Sequence, residues 1–278
     1  MVAHAANGAV GINLPRLSPK FLASFEIPLP PVEDQRRIAA ILDAADVLRV
    51  KRLQAIAKFD SLTQAVFIDM FGDPVTNPLE WRDDQVLADI ADVRSGITKG
   101  RKTGSARLTS VPYLAVVNVQ DGHIRLDPIK SIDATAAEIE KYAVHRGDIL
   151  LTEGGDPDKL GRGAVWHGQV EPCIHQNHVF RVRLVADSMT PEFLSHLLAS
   201  QRGKRYFLSM AKQTTGIASI NMTQLRAFPL LEPPRAAQDE FLNRISSVRA
   251  ASTPADRSAK HLDALFGSLQ QRAFRGEL

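Results

Sequence analysis

This chain repeats itself. Near the start stand Gly11-Ile12-Asn13-Leu14, Leu17, then Phe25-Glu26-Ile27-Pro28-Leu29-Pro30-Pro31 and Gln35. Near the end stand Ser219-Ile220-Asn221-Met222, Leu225, then Phe228-Pro229-Leu230-Leu231-Glu232-Pro233-Pro234 and Gln238. A further pair follows downstream: Phe59-Asp60-Ser61-Leu62-Thr63-Gln64 with Phe67, against Phe266-Gly267-Ser268-Leu269-Gln270-Gln271 with Phe274. Four elements in the same order argue against coincidence. A spacing of about 200 residues excludes a short-repeat solenoid.

Each copy reads as a short apolar strand, a Pro-Pro stop and a long helix, because proline lacks a donor and its fixed φ suits a helix start. In the first copy Ile38, Ile41, Ala45, Leu48, Leu53, Ile56, Phe59, Leu62, Val66 and Met70 fall mostly three and four apart, one apolar stripe. The helix is expected to stop near Gly72-Asp73-Pro74, and from Val32 to Phe71 it would be on the order of 60 Å long. The second copy carries Phe241, Leu242, Ile245 and Val248, then Leu262, Leu265, Leu269 and Phe274; Pro254 between them predicts a kink or break. A long helix with a narrow stripe needs a partner, and the other copy, running antiparallel, is the obvious one. The alternative is that both helices pack on the body of the domain.

Between the arms the pattern changes. Apolar runs at Leu87–Val93, Tyr113–Val119, Asp148–Thr152, Gly163–His167, Val179–Val185 and Phe228–Leu231 alternate with Gly- and Asp-containing turns and read as strands. One helix is predicted over Thr190–Ser209, capped by Thr190 with Pro191 in its first turn. The expected fold class is α+β: one mixed α/β domain flanked by two long helices that form an antiparallel coiled coil. The expected divisions are a terminal strand or stub over 1–31, a first long helix over 32–73, a domain over 80–234 and a second long helix over 235–278.

Bulk properties bound the rest. With 278 residues, 44% hydrophobic and 23% charged, the chain has the composition of a soluble globular protein. A net charge of +3 permits a polyanionic partner without requiring one. The single cysteine, Cys173, forbids an intrachain disulfide and suits a reducing cytoplasm, and the N-terminus lacks a signal-peptide pattern. A cytoplasmic, membrane-free protein is expected.

The sequence resembles the specificity subunits of type I restriction–modification systems over nearly its whole length. The residues that carry the resemblance are Ile27-Pro28-Leu29-Pro30-Pro31 with Gln35, the helix exit Met70-Phe71-Gly72-Asp73-Pro74, Tyr113-Leu114 with Asn118-Val119, Tyr142 with Arg146-Gly147-Asp148-Ile149-Leu150, Ile220-Asn221, and the ending Ala273-Phe274-Arg275-Gly276-Glu277-Leu278. The resemblance implies a non-catalytic subunit that recognises double-stranded DNA, with 80–234 as a target-recognition domain. It also implies that the long helices act as spacers and dock methyltransferase subunits, and that a restriction subunit joins through the complex. Such subunits carry two recognition domains. Only one is complete here, and residues 1–30 look like the end of a preceding one, so either half-length copies pair as a homodimer or the chain is a truncated remnant.

DNA contact asks for cations and amides on loops, since phosphates give affinity and base edges give sequence. The first candidate loop runs from Ser95 to Ser105 and offers Thr98, Lys99, Arg101 and Lys102; the alternative is a solvated loop. The second spans Gly154 to Gly163 and offers Lys159 and Arg162, although its glycines also suit hairpin turns. The third is His175-Gln176-Asn177-His178, whose amides suit adenine edges. Cys173, His175 and His178 would alternatively make three ligands of a zinc site that has no clear fourth. The fourth is Lys212-Gln213-Thr214-Thr215, a region the resemblance places near the DNA face.

Enzymatic motifs are missing. No glycine-rich loop enters a helix to cradle S-adenosylmethionine, Asn77-Pro78-Leu79 is not an Asn-Pro-Pro-aromatic motif, and G-x-x-x-x-G-K-[ST] is absent. Glu153, Asp156 and Asp158 read as turn or surface carboxylates rather than a nuclease metal site. No cofactor is expected, and an autonomous restriction endonuclease or methyltransferase is the rival reading.

Overall fold

The computed structural model describes residues 18–24, 29–104, 107–157, 160–214 and 217–278. In chain order the elements begin with helices α1 (Pro19–Ala23), α2 (Val32–Phe71) and α3 (Leu87–Ile90), then strands β1 (Ala91–Ser95), β2 (Thr109–Leu114) and β3 (Lys130–Ala134). Next come α4 (Ala136–Tyr142), β4 (Ile149–Thr152), β5 (Gly154–Gly155), β6 (Gly163–Val165), β7 (Ile174–His175) and β8 (Val179–Leu184). Helices α5 (Pro191–Ala199) and α6 (Gln201–Met210), strands β9 (Lys212–Thr214) and β10 (Ile217–Ser219), and helices α7 (Met222–Arg226) and α8 (Arg235–Arg275) complete the order. The chain divides into two compact units, residues 1–57 with 252–278 and residues 58–251, and both long helices contribute to each.

In the first unit α2 and α8 are antiparallel. Arg37 donates to the Leu278 carbonyl at 2.8 Å, and further along Arg49 Nε meets Asp263 at 2.6 Å, with its guanidinium 5.1 Å from the Phe266 ring centroid. Rising numbers on one helix thus meet falling numbers on the other. Ala45, Ala255 and Ala259 are buried, small side chains that let the backbones approach. Val47, Leu48, Val50, Leu53, Leu265 and Phe274 stay exposed. α8 runs through Pro254 without interruption, so the expected break is not there. Proline removes one intrahelical bond, and burial of Ala255 and Ala259 just beyond it keeps the helix in place.

The repeat is also a repeat of hydrogen bonds. Gln35 Nε2 donates to the Pro30 carbonyl at 2.7 Å, and Gln238 Nε2 donates to the Pro233 carbonyl at 2.9 Å. Both residues also donate their backbone N–H to the second proline of the pair, Pro31 or Pro234. The sequence strand before the first Pro-Pro pair falls largely outside the described residues. In the second copy Phe228–Leu231 is not a strand: Pro229 and Glu232 make single antiparallel bridges, to Val86 and Arg82. Pro229 and Pro233 lack the donors a continuous ladder would need.

The second unit is built on a four-stranded antiparallel sheet in the order β1-β8-β4-β6. A second sheet, β3-β2-β7, pairs β2 with β7 in parallel, and a third, β5-β10-β9, is a small antiparallel one. The end of α2 and the start of α8 belong to this unit because four phenylalanines lock them to α5. Phe67 and Phe71, Phe193 and Phe241 have ring centroids 5.0 to 6.3 Å apart. Gln238 is fully buried beside them, donating also to the Ser188 carbonyl and accepting from Thr190 N–H at 2.9 Å. α2 stops at Phe71 because Gly72 takes φ +73 and a side chain there would strike the Pro78 ring.

Two local expectations change. Leu87–Val93 splits into α3 and β1, with Asp89 accepting from Val86 N–H in the helix's first turn. Thr190 caps α5 by accepting from Phe193 N–H, with Pro191 in the first turn, but the helix breaks at Ser200 (φ −69, ψ 175) before α6. Gly203 then lies against the Leu198 carbonyl, where a Cβ would come within 1.8 Å. No proline or glycine stands at Ser200 to announce that turn in the sequence.

Candidate nucleic-acid interface

The sequence candidates are scattered over 120 positions, and backbone pairing gathers most of them. β4 and β8, the two central strands of the main sheet, pair as far as Thr152 with Val179. One step further, Glu153 N–H donates to the His178 carbonyl at 3.0 Å, while Ile220 N–H donates to the Glu153 carbonyl at 2.9 Å. Gly154 and Gly155 then pair with Ser219 and Ala218 of β10, and Ser219 pairs with Lys212 of β9. On the other side Ile97 N–H donates to the His175 carbonyl, Asn177 N–H to the Ile97 carbonyl, and Ser95 Oγ to the Asn177 carbonyl at 2.6 Å. Gly96 is needed there, since a Cβ would lie 2.0 Å from the His175 oxygen. The segments around 95–98, 153–155 and 175–178, with 212–214 and 217–219, therefore form one continuous edge.

On that edge Thr98, His178 and Lys212 are exposed, as are Lys99 and Lys102 in the loop that follows Thr98, and Gln176 and Asn177 are half-buried. Gln213 and Thr214 lie in β9 with their side chains outside the description, and Lys159 and Thr215 lie outside the described residues. Arg162, opposite Thr152 through its carbonyl, lines a hollow with Gln120, His123 and Lys204 next to this edge.

Two candidates turn inward. Arg101 grips both oxygens of Glu138, at 2.5 and 2.8 Å, and donates to the Asp133 carbonyl at 2.9 Å, so it ties the loop to α4 instead of facing a phosphate. Its guanidinium, together with the capping bonds from Thr135, holds the Glu138 carboxyl down at about 2. Thr135 and Glu138 form the capping box that starts α4, so Arg101 is tied to the N-terminus of that helix. His175 is fully buried, with Nδ1 3.0 Å from the Tyr142 carbonyl and Nε2 without a partner in the described residues. Burial pushes its pKa down to about 4, so it is a neutral core residue and not a DNA contact.

The zinc alternative fails on geometry. The Cys173 thiol is buried among Leu114, Val119 and Trp166, and that burial pushes it up to about 12. His178 faces Glu153 on the surface, and among the described residues no three His, Cys, Asp or Glu side chains gather to hold a metal. Among the same residues no helix is long and apolar enough to cross a membrane.

Residues 3–58 match the family model for the type I restriction modification DNA specificity domain. The EcoKI specificity subunit of Escherichia coli (strain K12) is 23% identical over 97% of this chain, and the StySPI specificity subunit of Salmonella potsdam is 25% identical over 97%. The chain spans 61% of the length of each of these relatives. Among solved structures, a chain from a study of complex assembly and conformational transition in the type I R-M system is 19% identical with a TM-score of 0.51, over 100% of this chain and 68% of that one. In sequence over nearly its full length this chain is similar to the specificity subunits of type I restriction enzymes, and in fold it is similar to a chain of a type I R-M system.

Proposed function

We propose that this chain is a recognition component of a type I restriction–modification complex, binding double-stranded DNA in a sequence-dependent way without catalysing the reaction itself. The observation that carries the reading is the single edge that joins Gln176, Asn177, His178 and Lys212, with Lys99 and Lys102 in the loop that leaves it, so that three separated segments supply the cations and amides. Cations there suit phosphates and amides suit base edges, on strand ends held by the sheet. In this reading the long helices dock methyltransferase subunits, and a restriction subunit joins through them. Two copies pair along the apolar residues left exposed on α2 and α8, supplying the second recognition domain.

Co-expression with a type I methyltransferase subunit, followed by methylation mapping on genomic DNA, tests this. Sequence-specific methyladenine dependent on this chain is the expected result. No complex and no methylation sinks the reading. A target that is an inverted repeat supports pairing of identical copies, and an asymmetric target from the homogeneous protein rules pairing out.

The contribution of the loop is tested by salt. Each lost phosphate contact lowers the slope of log affinity against log salt by about 0.9. K99A/K102A should therefore flatten the slope by about 2, whereas an unchanged slope makes the loop a solvated one.

A further inference from the structure

Glu153 is a carboxylate in the middle of an edge that otherwise offers cations and amides. Facing a phosphate it would repel, so its position needs another account. Its partner is His178: Nδ1 of the imidazole lies 2.6 Å from Glu153 Oε2, with side chains 58% and 33% exposed for His178 and Glu153. A carboxylate only accepts, so Nδ1 carries the proton of that bond and Nε2 is the ring nitrogen left available. Asn177 Nδ2 lies 3.4 Å from Nε2, a long contact that an approaching base can replace, so imidazole and amide present adjoining polar edges.

The pair is held rigidly. Glu153 and His178 are the next cross-strand neighbours after Thr152 and Val179, at the ends of the two central strands of the sheet. Their backbones are joined by the Glu153 N–H to His178 carbonyl bond, and the Glu153 carbonyl is held from β10. The Asn177 carbonyl is held by Ser95 and its N–H by Ile97. Beside the pair Gly155 carries no side chain, and no atom of the described residues lies within 4 Å of where one would be. A group fixed on rigid strand ends has what base readout requires.

Resting on the proposed DNA-recognition role, we infer that Glu153, His178 and Asn177 form a base-reading triad, in which Glu153 positions the imidazole and Nε2 with the Asn177 amide reads a base whose major-groove edge offers an exocyclic amine. Adenine and cytosine are the two such bases, and adenine also offers N7 as an acceptor to Asn177 Nδ2. Glu153 is a positioning residue that acts through His178, holding the imidazole by that bond.

The test is selection from randomised duplexes, using the full chain purified with its methyltransferase subunit, for the wild type, H178A, E153A and E153Q. The wild type should enrich adenine or cytosine at a position where H178A loses roughly 10- to 100-fold of discrimination. E153A should flatten the same position. E153Q, whose amide oxygen still accepts from Nδ1, should keep most of the preference, with salt slope and melting temperature unchanged in all three variants. Retention of every preference by H178A or E153A overturns the triad, as does a lost preference for guanine or thymine, or an E153Q that fails like E153A. Wild type that enriches no sequence overturns the DNA-reading role itself, and the triad with it.

Discussion

Replacing Phe241 with Ala is expected to destabilise the protein by about 3–5 kcal/mol, the range for truncating a buried phenylalanine. Its ring is fully buried, and it meets Phe67, Phe71 and Phe193 at 5.5, 5.6 and 6.3 Å. The neighbours come from α2 and α5, so the void cannot be closed by sliding one helix, and edge-on ring contacts are lost with the buried area. Domains have total stabilities of about 5–15 kcal/mol, so this change removes a large share. Chemical denaturation of wild type and F241A checks it. A loss under about 1 kcal/mol would mean that the cluster relaxes around the gap and does not hold the end of α2 and the start of α8 against α5.

Acidification should cost nearly as much through a single buried histidine. His175 has an ordinary pKa of 6.5 in the unfolded chain and about 4 in the fold, because burial opposes its charge. The unfolded state therefore binds the extra proton first as pH falls, and stability is lost from about 6.5 down to about 4. Full protonation corresponds to a loss of about 3 kcal/mol. The opposite carboxylate case, Glu138, contributes stability that is lost only as pH falls below 4.5 toward about 2, so the two windows barely overlap. Denaturation at pH 7, 5.5 and 4.5 should show the decline in wild type and a shallower one in H175N, whose side chain does not titrate. Equal slopes would remove His175 as the cause.

The same histidine shows why the candidate site was only half legible. His175-Gln176-Asn177-His178 reads as one polar stretch, but His175 ends β7 with its side chain in the core, while the next residues turn outward and His178 reaches the surface before β8. Nothing local distinguishes the two imidazoles; burial does. Arg101 is misread for the same reason, since its salt partner lies 37 residues away on α4. Glu153, read as a turn carboxylate, becomes informative only when the register of β4 and β8 places it beside His178, 25 residues on.

The repeat that opened the sequence reading was legible because its signals are local. Pro-Pro precedes a long helix in both copies, the apolar stripe needs only helical spacing, and Gly72 ends α2 through its own φ. The sequence by itself thus determined two long arms, their starting points and the α+β segment between them. Tertiary structure decided the antiparallel pairing through Arg49 and Asp263, the continuity of α8 across Pro254, and the joining of four loops into one edge. Those outcomes depend on strand register and long-range burial, which the order of residues along the chain specifies only through the packed whole.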